Sequence, residues 1–300
     1  MKVGLIDVDG HHFPNLALMK ISAYHKRRGD HVEWCMPLDR YDLVYQAKVF
    51  NETYSKDIDW TPQADQVLKG GTGYNLTERL PEEIERQYPD YGLYPQYEEA
   101  YGFLTRGCPR GCGFCIVSEK EGRKSEQVAD LGEFWRGQKE IKLLDPNLLA
   151  CREREKLLMQ LIESGAKVDF TQGLDIRLVD TDIAGLLERI RIKAIHFAWD
   201  NPGDRETERK LQWFSEQTTL GRKRRVVYIL TNFNSTHEED LERVRRVWEM
   251  GYTPYVMIYD KPNAPRITRH LQRWCNRHII YVVPRFEDYM PQKLEGSGEW

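Results

Sequence analysis

Short apolar runs alternate along most of this chain with longer stretches whose apolar residues recur every three or four positions. The first pattern predicts buried strands and the second amphipathic helices. Near the N-terminus, Lys2–Asp7 reads as a strand. Leu16–Lys26 reads as a helix, with Leu16, Met19, Ile21, Ala23 and Tyr24 apolar and Gly29 as its stop. His31–Met36, the centre of Tyr41–Phe50 and Gln66–Lys69 read as further strands, the last running into Gly70-Gly71-Thr72-Gly73. Strand, helix, strand and glycine turn in that order predict a small open Rossmann-like α/β domain over residues 1–80. Residues 81–97 carry Pro81, Pro89 and Pro95, with a helical turn or two in Glu82–Tyr88, and read as a linker.

From residue 98 to 290 the alternation becomes regular. Predicted strands are Tyr101–Arg106, Glu140–Asp145, Lys167–Thr171, Lys193–Trp199, Arg225–Thr231 and Tyr255–Tyr259. Predicted helices are Gln127–Arg136, Arg152–Ser164, Thr181–Arg189, Arg205–Thr218, Glu238–Met250 and Ile267–Cys275, and His278–Val283 reads as an extra strand. The fold class is α/β: six successive β/α units predict an open (β/α)6 partial barrel of the TIM type, followed by a polar tail over 291–300. Functional groups of such barrels sit at the carboxyl ends of the strands, which selects a short set of candidate positions.

At the first strand end the chain reads Cys108-Pro109-Arg110-Gly111-Cys112-Gly113-Phe114-Cys115. Thiolates are the ligands of iron–sulfur clusters. Three of them leave one iron of a four-iron cubane open, and an open iron binds substrate or cofactor. Pro109 and the two glycines suit a loop that wraps a cluster closely. A structural zinc site needs four ligands; the nearest later candidates are Cys151 and His196, far along the chain.

The Cys-x3-Cys-x2-Cys spacing, with an aromatic before the third cysteine and a strand before the first, resembles the radical SAM superfamily. The resemblance implies a [4Fe-4S] cluster on Cys108, Cys112 and Cys115, and S-adenosylmethionine on its open iron. It further implies reductive cleavage to methionine and a 5′-deoxyadenosyl radical that abstracts hydrogen from a substrate carbon, with an electron donor such as flavodoxin or ferredoxin as partner. It places S-adenosylmethionine contacts at Phe114 and at the strand ends: Asp145 and Asn147 for the amino group, Arg177 for the carboxylate, Asp200 for the ribose or amino group, and Asn232 for the adenosine. A helix cap at Asn147 and a salt bridge from Arg177 to Asp175 or Asp180 are the structural alternatives. Tyr259 and Asp260 are substrate-side candidates or loop caps.

The first domain is similar to the cobalamin-binding domain of some members of that family. Asp9-Gly10-His11 matches the start of the cobalt-ligating motif, but Pro14 stands where the motif has glycine. His11 reads as a substrate-side residue, with cobalamin ligation, and hence methyl transfer to carbon, as the alternative. The Gly70–Gly73 turn either cradles a nucleotide tail or is simply tight.

Composition narrows the rest. Of 300 residues 40% are hydrophobic, enough for a packed core, and the net charge is −3, so no global basic excess announces nucleic acid. A local basic patch could still form from Arg222-Lys223-Arg224-Arg225 with Arg266, Arg269, Arg273 and Arg277. A zinc-binding nucleic-acid module is therefore the reading of another class. Cys35, Cys151 and Cys275 are scattered and read as buried thiols. No apolar run approaches the roughly 20 residues of a membrane span. The chain starts directly into a strand without a signal peptide, which predicts a cytoplasmic protein.

Overall fold

The computed structural model describes residues 1–10 and 13–289; His11 and the tail over 291–300 lie outside the described residues. The chain forms two compact units. One comprises Met1–Gly102, Glu119–Glu121 and Ala129–Ile141; the other comprises Phe103–Ser118, Gly122–Val128 and the chain from Lys142 onward.

In the first unit, strands β1 (Lys2–Asp7), β2 (His31–Trp34), β3 (Arg40–Ala47) and β4 (Gln63–Gly70) form a sheet of order β2-β1-β3-β4. Each adjacent pair is parallel. Helix α1 (Leu16–Arg27) makes the crossover from β1 to β2. Asn15 caps it by accepting from the Leu18 N–H, and His25, Lys26 and Arg27 complement the dipole at its end. No helix bridges β3 and β4, so the unit is a parallel α/β sheet with a single helical crossover. Gly71 and Gly73 turn tightly behind β4. A Cβ on either would stand 2.4 Å from the Lys48 or Phe50 carbonyl oxygen, so close backbone approach accounts for these glycines.

Residues 81–97 do not behave as a linker. Helix α2 (Glu82–Glu85) and a 3-10 turn at Tyr91–Leu93 bring Ile84, Leu93 and Tyr94 into one core with Val3, Leu5, Leu18, Met19 and Ile21. Prolines shape this segment, but its apolar side chains have area to bury and are buried with the sheet. Gln127–Arg136 is not a helix either. Glu126–Gln127 extends as a strand, and only Leu131–Glu133 makes a 3-10 turn. Gly132 and Gly137 weaken a helix there. Phe134 is instead held over Gly102, where a Cβ would meet its ring at 2.5 to 2.7 Å.

Further strands are β5 (Ala100–Gly102), β6 (Thr105–Arg106), β7 (Glu126–Gln127), β8 (Glu140–Leu143), β9 (Lys167–Phe170), β10 (Ile192–Ala198), β11 (Arg225–Thr231) and β12 (Thr253–Ile258). The large sheet is open and six-stranded, of order β12-β11-β10-β9-β8-β5. The β9–β10, β10–β11 and β11–β12 pairs are parallel. Besides α3 (Val117–Lys120), the helices of this part are α4 (Arg154–Ser164), α5 (Thr181–Arg189), α6 (Arg205–Gln217), α7 (His237–Glu249), α8 (Arg266–Asn276) and α9 (Phe286–Tyr289). Val168, Phe170, Ile195, Phe197, Val227, Ile229 and Val256 are buried along the strands, as are Leu157, Leu161, Leu187, Leu211, Phe214, Val244, Val247 and Leu271 along the helices. That alternation of fully buried and part-exposed residues marks one sheet face as helix-covered.

The extra strand expected at His278–Val283 is a 3-10 turn, entered through His278 at φ 58°. The expected basic patch is partly consumed by packing. Arg222 lies 3.9 Å over the Trp248 ring and donates to the Trp248 and Tyr252 carbonyls, and Arg225 lies over Tyr252. Cys151 and Cys275 are buried and Cys35 half-buried. Among the described residues no helix is long and apolar enough to cross a membrane.

Candidate active site

The cysteine loop lies between two short antiparallel strands. β6 pairs with β7, so the intervening chain leaves and re-enters one ribbon. The Cys108 N–H donates to the Gly122 carbonyl at 3.1 Å and closes the loop near its base; the Cys115 N–H donates to the Cys112 carbonyl at 3.0 Å. Cys108 and Cys112 are half-buried and Cys115 is exposed. Burial raises the Cys112 thiol above its ordinary range, with Asp200 and the thiols of Cys115 and Cys108 adding to the effect and Arg177 opposing it. Each of these four groups acts on Cys112 through its charge.

Asp145 and Asn147 follow β8 and are both buried. The Asp145 carboxylate accepts from the Leu104 N–H at 3.2 Å, and from the N–H and hydroxyl of Thr105 at 2.5 and 2.7 Å. Both oxygens face the chain that leads into the cysteine loop. These contacts anchor the loop entry to the end of β8. Burial pushes the carboxyl up to about 6 despite those hydrogen bonds. Asn147 reaches the loop itself. Its Nδ2 donates to Cys108 Sγ at 3.5 Å, and its Oδ1 is buried without a hydrogen-bond partner.

Arg177 follows β9. Its Nε donates to Asp175 at 2.8 Å and its Nη1 to Asp204 at 3.2 Å, so the salt bridge to Asp175 is realised. Asp175 also accepts from Arg110, which sits between the first two cysteines. Burial alone would raise the Asp175 carboxyl, but the two guanidiniums hold it below the usual range. This bridge ties the cysteine loop to the end of β9. No local sequence signal pairs Arg110 with Asp175, because 65 residues separate them.

Asp200 ends the β10 segment. Burial pushes its carboxyl up to about 6, while Arg243 and Arg177 pull it down. Arg243 itself is buried, donating to the Trp199 carbonyl at 2.7 Å, to the Leu230 carbonyl at 2.8 Å and to Asp240. It links the ends of β10 and β11 from below. A signal for it exists in the sequence: Asp240 and Arg243 fall on the same helical stripe as Leu241, Val244 and Val247, where charge must be paired.

Asn232 stands at φ 61°, in the left-handed region that asparagine tolerates, and donates from Nδ2 to the Tyr259 carbonyl at 3.0 Å. Phe114 packs edge-on to Phe233 at 5.4 Å, and Phe233 to Tyr259 at 4.8 Å, which joins the cysteine loop to the ends of β11 and β12 through aromatic rings. Asp260, at φ 48°, accepts from Asn263 Nδ2 with both oxygens and so caps its own loop.

Crystal structures of Streptococcus suis SuiB are similar to this chain. The complex with S-adenosylmethionine is 13% identical, with TM-score 0.47, over 63% of this chain and 48% of SuiB. The complex with precursor peptide SuiA is 12% identical, with TM-score 0.43, over 63% and 46%. This chain thus spans about half the length of the solved structures it matches. No family model and no curated protein matches it.

The donor set fits a thiolate-held cluster on its chemistry: three soft ligands on one loop, with an amide N–H on one sulfur. A Cβ at Gly113 would meet nothing within 4 Å, so the backbone between the second and third cysteines faces open space on that side. Among the described residues no three His, Cys, Asp or Glu side chains stand grouped to hold a metal ion.

Proposed function

We propose that this chain is a radical SAM enzyme of the partial-barrel type. Cys108, Cys112 and Cys115 hold a [4Fe-4S] cluster, and the strand ends that carry Asn147, Arg177, Asp200 and Asn232 hold S-adenosylmethionine. The observation that carries the reading is a three-thiol loop held at two strand ends, by Asn147 Nδ2 on Cys108 Sγ after β8 and by Asp175 accepting from Arg110 after β9. When bound, cluster and cofactor supply a 5′-deoxyadenosyl radical for hydrogen abstraction, with the electron from a flavodoxin- or ferredoxin-type donor.

The chain's own residues supply position and charge. Asp145 fixes the loop entry and Asp175 fixes Arg110. Asn147 presents an N–H to the first sulfur and a vacant acceptor oxygen, suited to an ammonium. Arg177 keeps its remaining N–H groups for a carboxylate. Phe114, Phe233 and Tyr259 form an apolar wall suited to an adenine ring and to keeping water from a radical.

The test is anaerobic reconstitution with iron and sulfide, reduction by dithionite and addition of S-adenosylmethionine. The reduced protein gives a cluster EPR signal that shifts on adding the cofactor, and 5′-deoxyadenosine forms; Cys112→Ala loses both. Zinc instead of iron after aerobic purification with no cluster on reconstitution, or an EPR signal unmoved by the cofactor, refutes the assignment.

A further inference from the structure

The sheet face opposite the helices carries a second cluster, separate from the cysteine loop. Asp169, His196, Tyr228 and Tyr255 come from β9, β10, β11 and β12, four neighbours in one parallel sheet. The His196 ring stacks on Tyr228, with centroids 5.0 Å apart and 14° between planes. Tyr228 meets Tyr255 edge-on at 5.5 Å.

The proton positions follow from the partners. His196 Nδ1 lies 3.1 Å from the Phe170 carbonyl, which can only accept, so Nδ1 carries the hydrogen. Burial lowers the imidazole's pKa, against the opposing pull of Asp169 and the Phe170 carbonyl, and favours the neutral ring. Nε2 then offers a lone pair. The Tyr228 hydroxyl donates to the Thr171 carbonyl at 2.7 Å, so its proton is also committed. Asp169 Oδ1, 3.6 Å from His196 Nδ1, and Thr171 Oγ1 are buried without a hydrogen-bond partner. Tyr255, Met257 and Tyr259 stand 41%, 48% and 43% exposed on the same side of β12 and beyond its end.

The cluster therefore presents a carboxylate, a bare imidazole nitrogen and aromatic rings, with the imidazole N–H and the Tyr228 hydroxyl already committed. The ligand such a surface complements is a cation that donates hydrogen bonds and carries an alkyl stem. We propose that this face is the subsite for a positively charged nitrogen group of the substrate, an alkylammonium or guanidinium. Its charge lies against Asp169, one N–H on His196 Nε2 and its stem across Tyr228 and Tyr255. The inference names a substrate class for the radical enzyme proposed above and rests on that reading for its role. Its test needs neither cluster nor cofactor.

The full-length apo chain is titrated at matched ionic strength with n-butylammonium, n-butanol and n-butyrate. Long-range 1H–15N NMR of the histidine rings is the readout, with His196 assigned by its absence in His196→Gln. Butylammonium gives a saturable shift at His196 Nε2, butanol binds at least tenfold more weakly and butyrate does not bind. Asp169→Asn weakens butylammonium at least tenfold while the circular dichroism spectrum stays that of the parent. Equal binding of butanol or butyrate, no shift with any probe, or an Asp169→Asn protein that binds as the parent does, overturns the proposal. The comparison of the three probes on the unaltered chain stands even if a variant fails to fold. Loss of this result with 5′-deoxyadenosine still formed rejects the cationic substrate alone; a cation site without cofactor cleavage rejects the radical reading alone.

Discussion

Replacing Asp145 with alanine tests how the cysteine loop is anchored. Its carboxylate accepts three hydrogen bonds, two from backbone N–H groups and one from a hydroxyl, and Leu104 and Thr105 are themselves fully buried. The variant leaves those donors unpaired, at about 1–3 kcal/mol each. Against this stands the gain from no longer burying a carboxylate. A carboxyl raised from 3.8 to about 6 corresponds to about 3 kcal/mol of penalty on the ionised form. Three donors at that cost, less about 3 kcal/mol, leave a net loss at pH 7.5 of about 0–6 kcal/mol. The pH dependence sharpens the test. A carboxyl whose pKa is raised by folding holds its proton more tightly in the folded state, so the parent gains stability as pH falls through 6, and the alanine variant has no such gain. The gap between the two proteins widens by about 1.4 kcal/mol between pH 7.5 and pH 5. Urea unfolding of both proteins at the two pH values measures it, and other titrating groups cancel in the difference. Amide exchange at Leu104 and Thr105 gives the local readout and accelerates in the variant. A gap that stays constant or narrows between pH 7.5 and pH 5 refutes the reasoning.

Arg243→Met strands the buried Asp240 carboxylate and costs about 3–5 kcal/mol in urea unfolding; adding Asp240→Asn recovers part of that loss, which a double-mutant cycle reads directly. Asp175→Asn weakens both arms of the Arg110–Asp175–Arg177 bridge, so thiol alkylation of the apo loop by iodoacetamide quickens several-fold while the unfolding midpoint moves by less than about 1 kcal/mol equivalent. Gly102→Ala forces the new methyl into Phe134 and destabilises by about 1–3 kcal/mol, relieved by a smaller side chain at Phe134. For the proposed reaction, Asp200 ionises only above about 6, so the rate of cofactor cleavage falls as pH drops below that value; Asp200→Asn lowers the rate and removes that limb of the profile.

Local pattern carried much of this molecule. The strands Lys2–Asp7 and Arg225–Thr231 and the helix Thr181–Arg189 form over the predicted residues, because the strands are short apolar runs and the helix carries an apolar stripe at 3.6-residue spacing, both of which the chain itself spells out. The cysteine spacing needs no tertiary contact to be noticed. Local pattern failed where packing overrode it. The Gln127–Arg136 stretch has helical spacing, yet its first residue pairs with Thr105 and its Phe134 covers Gly102. The proline-rich segment 81–97 looks like a connector, yet contributes Ile84, Leu93 and Tyr94 to a core.

What the sequence determined by itself was the order of elements, the three-thiol loop and the strand ends where chemistry is to be sought. Only the tertiary structure decided what each strand-end residue does. Asp145 and Asn147 lie two residues apart and look interchangeable, but one faces the backbone of Leu104 and Thr105 and the other faces a cysteine sulfur. The Asp169–His196–Tyr228 cluster was likewise illegible, since its members sit dozens of residues apart in ordinary strand positions. The physical reason is register. Periodicity fixes which face a side chain takes, whereas the parallel pairing of β9 to β12 fixes which side chains become neighbours. That pairing is set by helix packing and crossover length, which no local stretch of chain contains.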